Sequence, residues 1–252
     1  MTGTDPLIIP TRNFKSYINK DLVLLEIGVN SGGSIDMWKQ YFGAGLKYIG
    51  VDISPWVYEH FHDPSAGVHI YTGSQENRTF LEYLAKSIPD VDILIDDGGH
   101  TMKQQILTLK MTFSKVKDGG LYLCEDVETS YVPYYGGGLR RKGSFIEFAK
   151  ILIDSQYSYF HGDKSVDVLG TALWQSGSIS FHTGIVVIEK RRNESPPKNI
   201  RKGNVKLNVY TGRTKIIDIN RNYEVGATKN RNKEEKRLNY HYFDAQLREN
   251  PL

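Results

Sequence analysis

The chain predicts an α/β protein built on a mostly parallel sheet with helices on both faces, and three observations lead there. Five short, near-continuous apolar runs, LVLLEIG, KYIGVDI, VHIYTGS, VDILIDD and GLYLCED, end in acidic or small polar residues. Segments of helical length follow most of them, and strands apolar along their whole length belong in a parallel sheet covered on both sides. A length of 252 residues suits one large α/β domain, or one of ordinary size with an appendage.

The elements follow in order. Residues 22–28 form the first strand, and SIDMWKQYF (34–42) carries apolar residues at helical spacing. Strands at 47–53 and 68–74 come next, then a helix over 76–87 (ENRTFLEYLAKS), a strand at 91–97 and a helix over 101–115. The fifth strand spans 120–126, and FIEFAKILI (145–153) reads as a further helix. SISFHTGIVVIEKR (178–191) reads as two strands about His182-Thr183-Gly184, a hairpin added late to the sheet.

After about residue 192 the texture changes. RRNESPPKNIRKGN is linker-like, VKLNVYTG and TKIIDIN are weak strands, and the end from Lys229 is charged, either helical or disordered. Residues 1–189 carry 16 Lys and Arg against 22 Asp and Glu, a net −6, whereas residues 190–252 carry 16 against 7, a net +9. A body of 1–192 and a basic extension of 193–252 are therefore expected to do different things. No apolar run approaches the roughly 20 residues of a membrane helix, and MTGTDPLIIPTRNFK lacks a basic region followed by an apolar core. The expected location is cytoplasmic, with no membrane partner. A single cysteine, Cys124, excludes an internal disulfide framework and a zinc site of several cysteines; within GLYLCED it reads as a small core residue.

The first candidate site is LLEIGVNSGGS. It runs from a strand through Glu26 into a turn with Gly28, Asn30, Ser31, Gly32 and Ser34. Glycines let a ligand approach the backbone there, and the helix that follows offers free N–H groups. Asn30 stands where a dinucleotide fingerprint has its second glycine, and Glu26 suits a ligand carrying positive charge. Asp52, some twenty residues on, is placed to accept from two ribose hydroxyls. Ser74 and Gln75, one strand later, suit an adenine. In this order the residues resemble the S-adenosylmethionine site of class I methyltransferases.

The second site is ILIDDGGHTMKQQ. If its strand neighbours GLYLCED in a parallel sheet, Asp97 comes to lie beside Glu125 and Asp126, because adjacent strands are about 5 Å apart. Crowded carboxylates repel, and a hard divalent cation between them, Mg²⁺ or Mn²⁺, relieves that. His100, three residues past Asp97, is placed to take a proton from a substrate hydroxyl. Asp96 either lines the cofactor side or hydrogen-bonds a loop.

IDDGGH followed by GGLYLCEDVETSYVPYYGGG resembles the metal-dependent sugar O-methyltransferases, the family of the macrocin, mycinamicin and rhamnosyl enzymes, to which the so-called cephalosporin hydroxylases are related. The likeness spans about residues 20–190. It implies a Rossmann-like class I fold with a seven-stranded sheet and an antiparallel C-terminal hairpin, Asp97, Glu125 and Asp126 as metal ligands, and His100 as general base. Gly99 departs from the serine common there. The implied substrate contains a sugar with adjacent hydroxyls, although a catechol satisfies the same geometry. VPYYGGGLRRKGS, with Tyr131, Tyr134 and Tyr135 near Arg140 to Lys142, suits a lid over a sugar ring. The resemblance leaves residues 193–252 unexplained: their Tyr and Phe among Lys and Arg suit a nucleic-acid backbone, and a solvated extension or homo-oligomer contact is the plainer alternative.

Overall fold

The computed structural model describes residues 14–157, 163–169 and 176–191, with four short strands beyond them. The chain divides into two compact units, Met1–Asn193 and Glu194–Leu252.

The first unit holds a seven-stranded sheet. Its strands are β1 (Leu22–Ile27), β2 (Leu46–Asp52), β3 (Val68–Thr72), β4 (Val91–Asp96), β5 (Val116–Cys124), β6 (Ser176–His182) and β7 (Ile185–Lys190), in the spatial order β3-β2-β1-β4-β5-β7-β6. β1 to β5 run parallel, β7 is antiparallel to β5, and β6 is antiparallel to β7. This is the mostly parallel sheet with a late antiparallel hairpin that the sequence predicts. Alternate residues feed two cores. Leu25, Leu94, Tyr122 and Ile188 belong to one, with Leu84, Leu109 and Phe148 from helices; Leu24, Ile93, Leu123 and Val187 belong to the other, with Trp38, Phe42 and Val57. Both faces are thereby covered, as a parallel sheet requires. The chain winds away from β1 in both directions, and at such a reversal the carboxyl ends of the strands leave an open crevice.

The helices are α1 (Gly33–Phe42), α2 (Pro55–Phe61), α3 (Arg78–Ser87), α4 (Met102–Thr112) and α5 (Phe145–Gln156). α3 starts two residues later than the spacing predicts, because Asn77 caps it and accepts from the Phe80 N–H. α4 opens on a capping box between Thr101 and Gln104 and ends at Thr112, where a short 3-10 turn takes over. α2 is absent from the sequence-based expectation: seven residues are too few for periodicity to register, although Ser54 before Pro55 at the first helical position is a start signal. β5 begins at Val116, earlier than expected, and its register against β4 shifts between Val91 and Ile93, from Val116 to Leu121, so Lys117–Gly120 bulge out of the ladder.

The second unit contains β8 (Ile200–Lys202), β9 (Val205–Leu207), β10 (Ile216–Asp218) and β11 (Tyr223–Val225) in an antiparallel sheet. β9 and β10 fall within the two weak strands read from sequence; β8 and β11 are additional. The expected helical or disordered end lies outside the described residues. No helix among the described residues is long and apolar enough to cross a membrane.

Candidate active site

A cavity of about 650 Å³ opens at the carboxyl ends of β1 to β4. Gly28, Asn30, Ser31, Asp52, Ser74, Gln75, Asp97, His100 and Asp126 all line it, so the two sequence motifs face one space. Ile53, Trp56 and Gln104 complete its wall.

On the β1 side the backbone dictates the residues. Gly28 has φ +100°, and a Cβ there would lie 2.0 Å from the Asp97 carbonyl oxygen, so only glycine lets the exits of β1 and β4 pass each other. Asp52 accepts from the Asn30 N–H at 2.9 Å and the Ser54 N–H at 2.8 Å, holding the loop after β1 against the start of α2.

Glu26, Gly32, Ser34, Asp96 and Glu125 do not line the cavity. Glu26 is buried behind the loop and accepts from Ser34 Oγ at 2.8 Å, from Trp38 Nε1 at 3.4 Å and from the Tyr48 hydroxyl. Burial raises its carboxyl above the usual range, and these three donors oppose that. Asp96 sits beneath the cavity, held by Gln75 Nε2 at 2.9 Å and the Tyr122 hydroxyl at 3.2 Å; burial lifts its pKa to about 6. Gln75 lines the cavity yet spends its amide on the protein. Nε2 donates to Asp96 and, at 3.1 Å, to Thr108 Oγ1, while Oε1 accepts from the Gly99 N–H at 2.7 Å. It braces the Gly98-Gly99 turn that delivers His100.

On the β4–β5 side two residues other than glycine adopt left-handed backbone, His100 at φ +58° and Asp126 at φ +51°. Such conformations cost on the order of 1–3 kcal/mol each and persist only where neighbours enforce them. The buried Thr129 hydroxyl does so here, its single proton shared between the Asp126 carbonyl at 2.7 Å and the His100 carbonyl at 3.0 Å. The turn at Asp126 sets its carboxylate against the imidazole, with Oδ2 3.3 Å from His100 Nε2. One ligand atom from each of Asp97, His100 and Asp126 lies within 4.8 Å of the others.

The electrostatics of this cluster favour a cation. Burial, then Glu125 and Asp126, push the Asp97 pKa up to about 8. Glu125, outside the 4.8 Å cluster but close enough to feel it, is raised to about 7 by burial and then by Asp126. Oxygen ligands with one imidazole suit a divalent ion, and His100 turns Nε2 toward the carboxylates. The donors present therefore fit a metal. Thr129 and Trp56 are site residues the sequence reading did not single out; Thr129 stood inside ETSY, and Trp56 follows Asp52 by four residues in the unpredicted α2.

No family model matches the chain. Over 190 residues, 72% of its length, it is 31% identical to the 8-demethyl-8-alpha-L-rhamnosyl tetracenomycin-C 2'-O-methyltransferase of Streptomyces olivaceus, of which it covers 49%. Among solved structures it matches MycE methyltransferase of the mycinamycin biosynthetic pathway, in complex with Mg, SAH and mycinamycin VI. That match has a TM-score of 0.67 at 27% identity, over 80% of this chain and 54% of that one. By sequence and by fold the chain is similar to sugar O-methyltransferases. A second relative, the mycinamicin VI 2''-O-methyltransferase of Micromonospora griseorubida, is 34% identical over 154 residues, 57% of this chain and 37% of the relative. The chain spans about half the length of these sugar O-methyltransferases. Gly99, where the resemblance implies serine, packs against Gln104: a Cβ would lie 2.4 Å from its amide, so a serine requires that flexible end to move.

Proposed function

We propose that the chain transfers a methyl group from S-adenosylmethionine to a sugar hydroxyl, with Mg²⁺ or Mn²⁺ held by Asp97, Asp126 and Glu125. The observation that carries this reading is the convergence of Asp97, His100 and Asp126 in the cavity that the Gly28 loop and Asp52 also line. When bound, the cofactor supplies an electrophilic methyl and the metal makes a hydroxyl more acidic.

The chain's own groups do the rest. Asp52, fixed by two backbone N–H groups, faces a ribose; Ile53 and Trp56 supply apolar wall beside it. His100 takes the hydroxyl proton at Nε2, since Nδ1 is sealed from the cavity, and the Asp126 carboxylate 3.3 Å away stabilises the imidazolium. Positioning and charge neutralisation then account for most of the rate. The 4.8 Å cluster favours a second assignment, in which His100 is itself a ligand and Glu125 stands outside.

A sugar acceptor is supported by the relatives and by the loop after β5, where Tyr131 and Tyr134 are exposed. Residues 1–192 are the catalytic body in this reading, and 193–252 a basic extension. Titration calorimetry with S-adenosylmethionine and S-adenosylhomocysteine, with and without Mg²⁺, tests it. Micromolar-range binding of both is expected, and no binding of either overturns the proposal.

A further inference from the structure

A second cavity, again of about 650 Å³, lies on the far side of the turn that carries His100. Consecutive residues face opposite ways: Gln75 and His100 line the first cavity, and Glu76 and Thr101 line the second. Its floor is one face of α4, since Lys103, Ile106, Leu107 and Lys110 follow the i, i+3, i+4, i+7 spacing, and Tyr134 and Tyr135 stand opposite.

The two cavities differ in charge. The first gathers Asp52, Asp97 and Asp126, whereas the second is lined by Arg78, Lys103 and Lys110 against Glu76 alone. Lys103 pairs with Glu76 at 3.0 Å and Arg78 with Glu82 at 3.7 Å. Exposed pairs of this kind are worth little and exchange readily for a better anion. Lys110 Nζ lies 5.1 Å from the centre of the Phe148 ring, an apolar support that leaves its charge uncancelled. The first turn of α4 adds the Met102 and Lys103 N–H groups, which have no acceptor within the helix.

Resting on the reading above, we propose that this groove holds the phosphate of the acceptor, which is a glycosyl diphosphate. Its sugar reaches over the His100 turn to the carboxylate cluster. Charge favours this placement: Arg78, Lys103 and Lys110 of the second cavity accept the phosphate, and the sugar hydroxyls occupy the first. The tyrosines and the apolar strip of α4 cover whatever the diphosphate is attached to.

The test compares three rhamnosyl acceptors: a nucleoside diphosphate sugar, a polyprenyl diphosphate sugar in detergent, and an uncharged alkyl glycoside. Methyl transfer is measured with the full chain and with the double variant Lys103→Ala, Lys110→Ala; calorimetry measures binding of the nucleoside diphosphate sugar to each. KM for at least one diphosphate acceptor should be roughly tenfold or more below that for the alkyl glycoside. The variant should weaken binding and raise KM far more for the diphosphate, with S-adenosylhomocysteine binding retained as the control for folding. Whichever diphosphate is preferred identifies the carrier. Equal KM values for charged and uncharged acceptors, or equal losses for both in the variant, overturn the inference and leave the methyltransferase reading standing. Failure to bind S-adenosylhomocysteine instead removes the reading beneath it. If the cofactor binds but no acceptor is methylated, calorimetry decides: no binding of the nucleoside diphosphate sugar to the full chain overturns the inference.

Discussion

The carboxylates at the end of β1 and β2 and those at the end of β4 and β5 lie at one edge of the sheet but are treated oppositely by the protein. Glu26 and Asp52 are surrounded by donors: three side chains for the first, two backbone N–H groups for the second. Asp97 and Glu125 face further carboxylates, and both are pushed up by burial and like charge. Glu26 is an internal brace, and Asp52 is held in place while still lining the cavity. The protein leaves the second pair to be completed by something positive, and that contrast separates residues that shape a site from residues that act in it.

The largest effect expected from breaking the acting side comes from His100→Ala. Transfer should fall by roughly 10²- to 10⁴-fold, the range of a lost general acid–base group, while cofactor affinity is nearly unchanged. Mg²⁺ titration of the same variant decides between the two assignments: retained affinity leaves His100 as a base, and a large loss makes it a ligand. Retained transfer removes it from the chemistry altogether.

A smaller effect should appear in stability. Asp97 titrates at about 8 and Glu125 at about 7 in the folded protein, against roughly 3.9 and 4.3 unfolded. An acid with a raised folded pKa keeps its proton longer in the folded state. The contribution of these two acids to the stability of the metal-free protein is therefore most favourable below the unfolded values and is lost as pH rises from about 4 to about 8. A divalent ion binds the deprotonated cluster, so the rise in Tm on adding Mg²⁺ should be larger at pH 8 than at pH 6. Scanning fluorimetry at both pH values checks this; an equal rise at each means that the ion does not sit on these carboxylates.

These two regions also differ in how much of them the sequence reveals. Asp97 can be paired with Asp126 because adjacent parallel strands bring their ends together, and the near-continuous apolar runs of β4 and β5 make both strands visible. Asp52 was visible from its spacing after the Gly loop. The strand ends at Cys124, however, and the left-handed turn at Asp126 sets which carboxylate meets His100. That turn depends on Thr129, whose contacts with two carbonyls exist only after folding. Gln75 was read as facing an adenine; its amide is engaged by Asp96, Thr108 and Gly99, from three different segments. Local pattern therefore reveals which segments reach the crevice, and only packing reveals which of their side chains line it and which the protein has already used.

The smallest effect should come from the braced side, and it sharpens the distinction most. Glu26→Gln preserves shape but presents an amide N–H₂ to hydroxyls that now donate, so part of the network must turn or go unsatisfied. A stability loss of about 1–2 kcal/mol is expected, visible as a lower denaturant midpoint. Because Glu26 is 3% exposed and does not line the cavity, affinity for S-adenosylmethionine should change by less than about threefold, under 1 kcal/mol. A hundredfold loss of affinity with stability unchanged would reverse that assignment. It would mean that Glu26 meets the cofactor's positive charge directly, as its place before the Gly loop suggests, and that the braced side also acts.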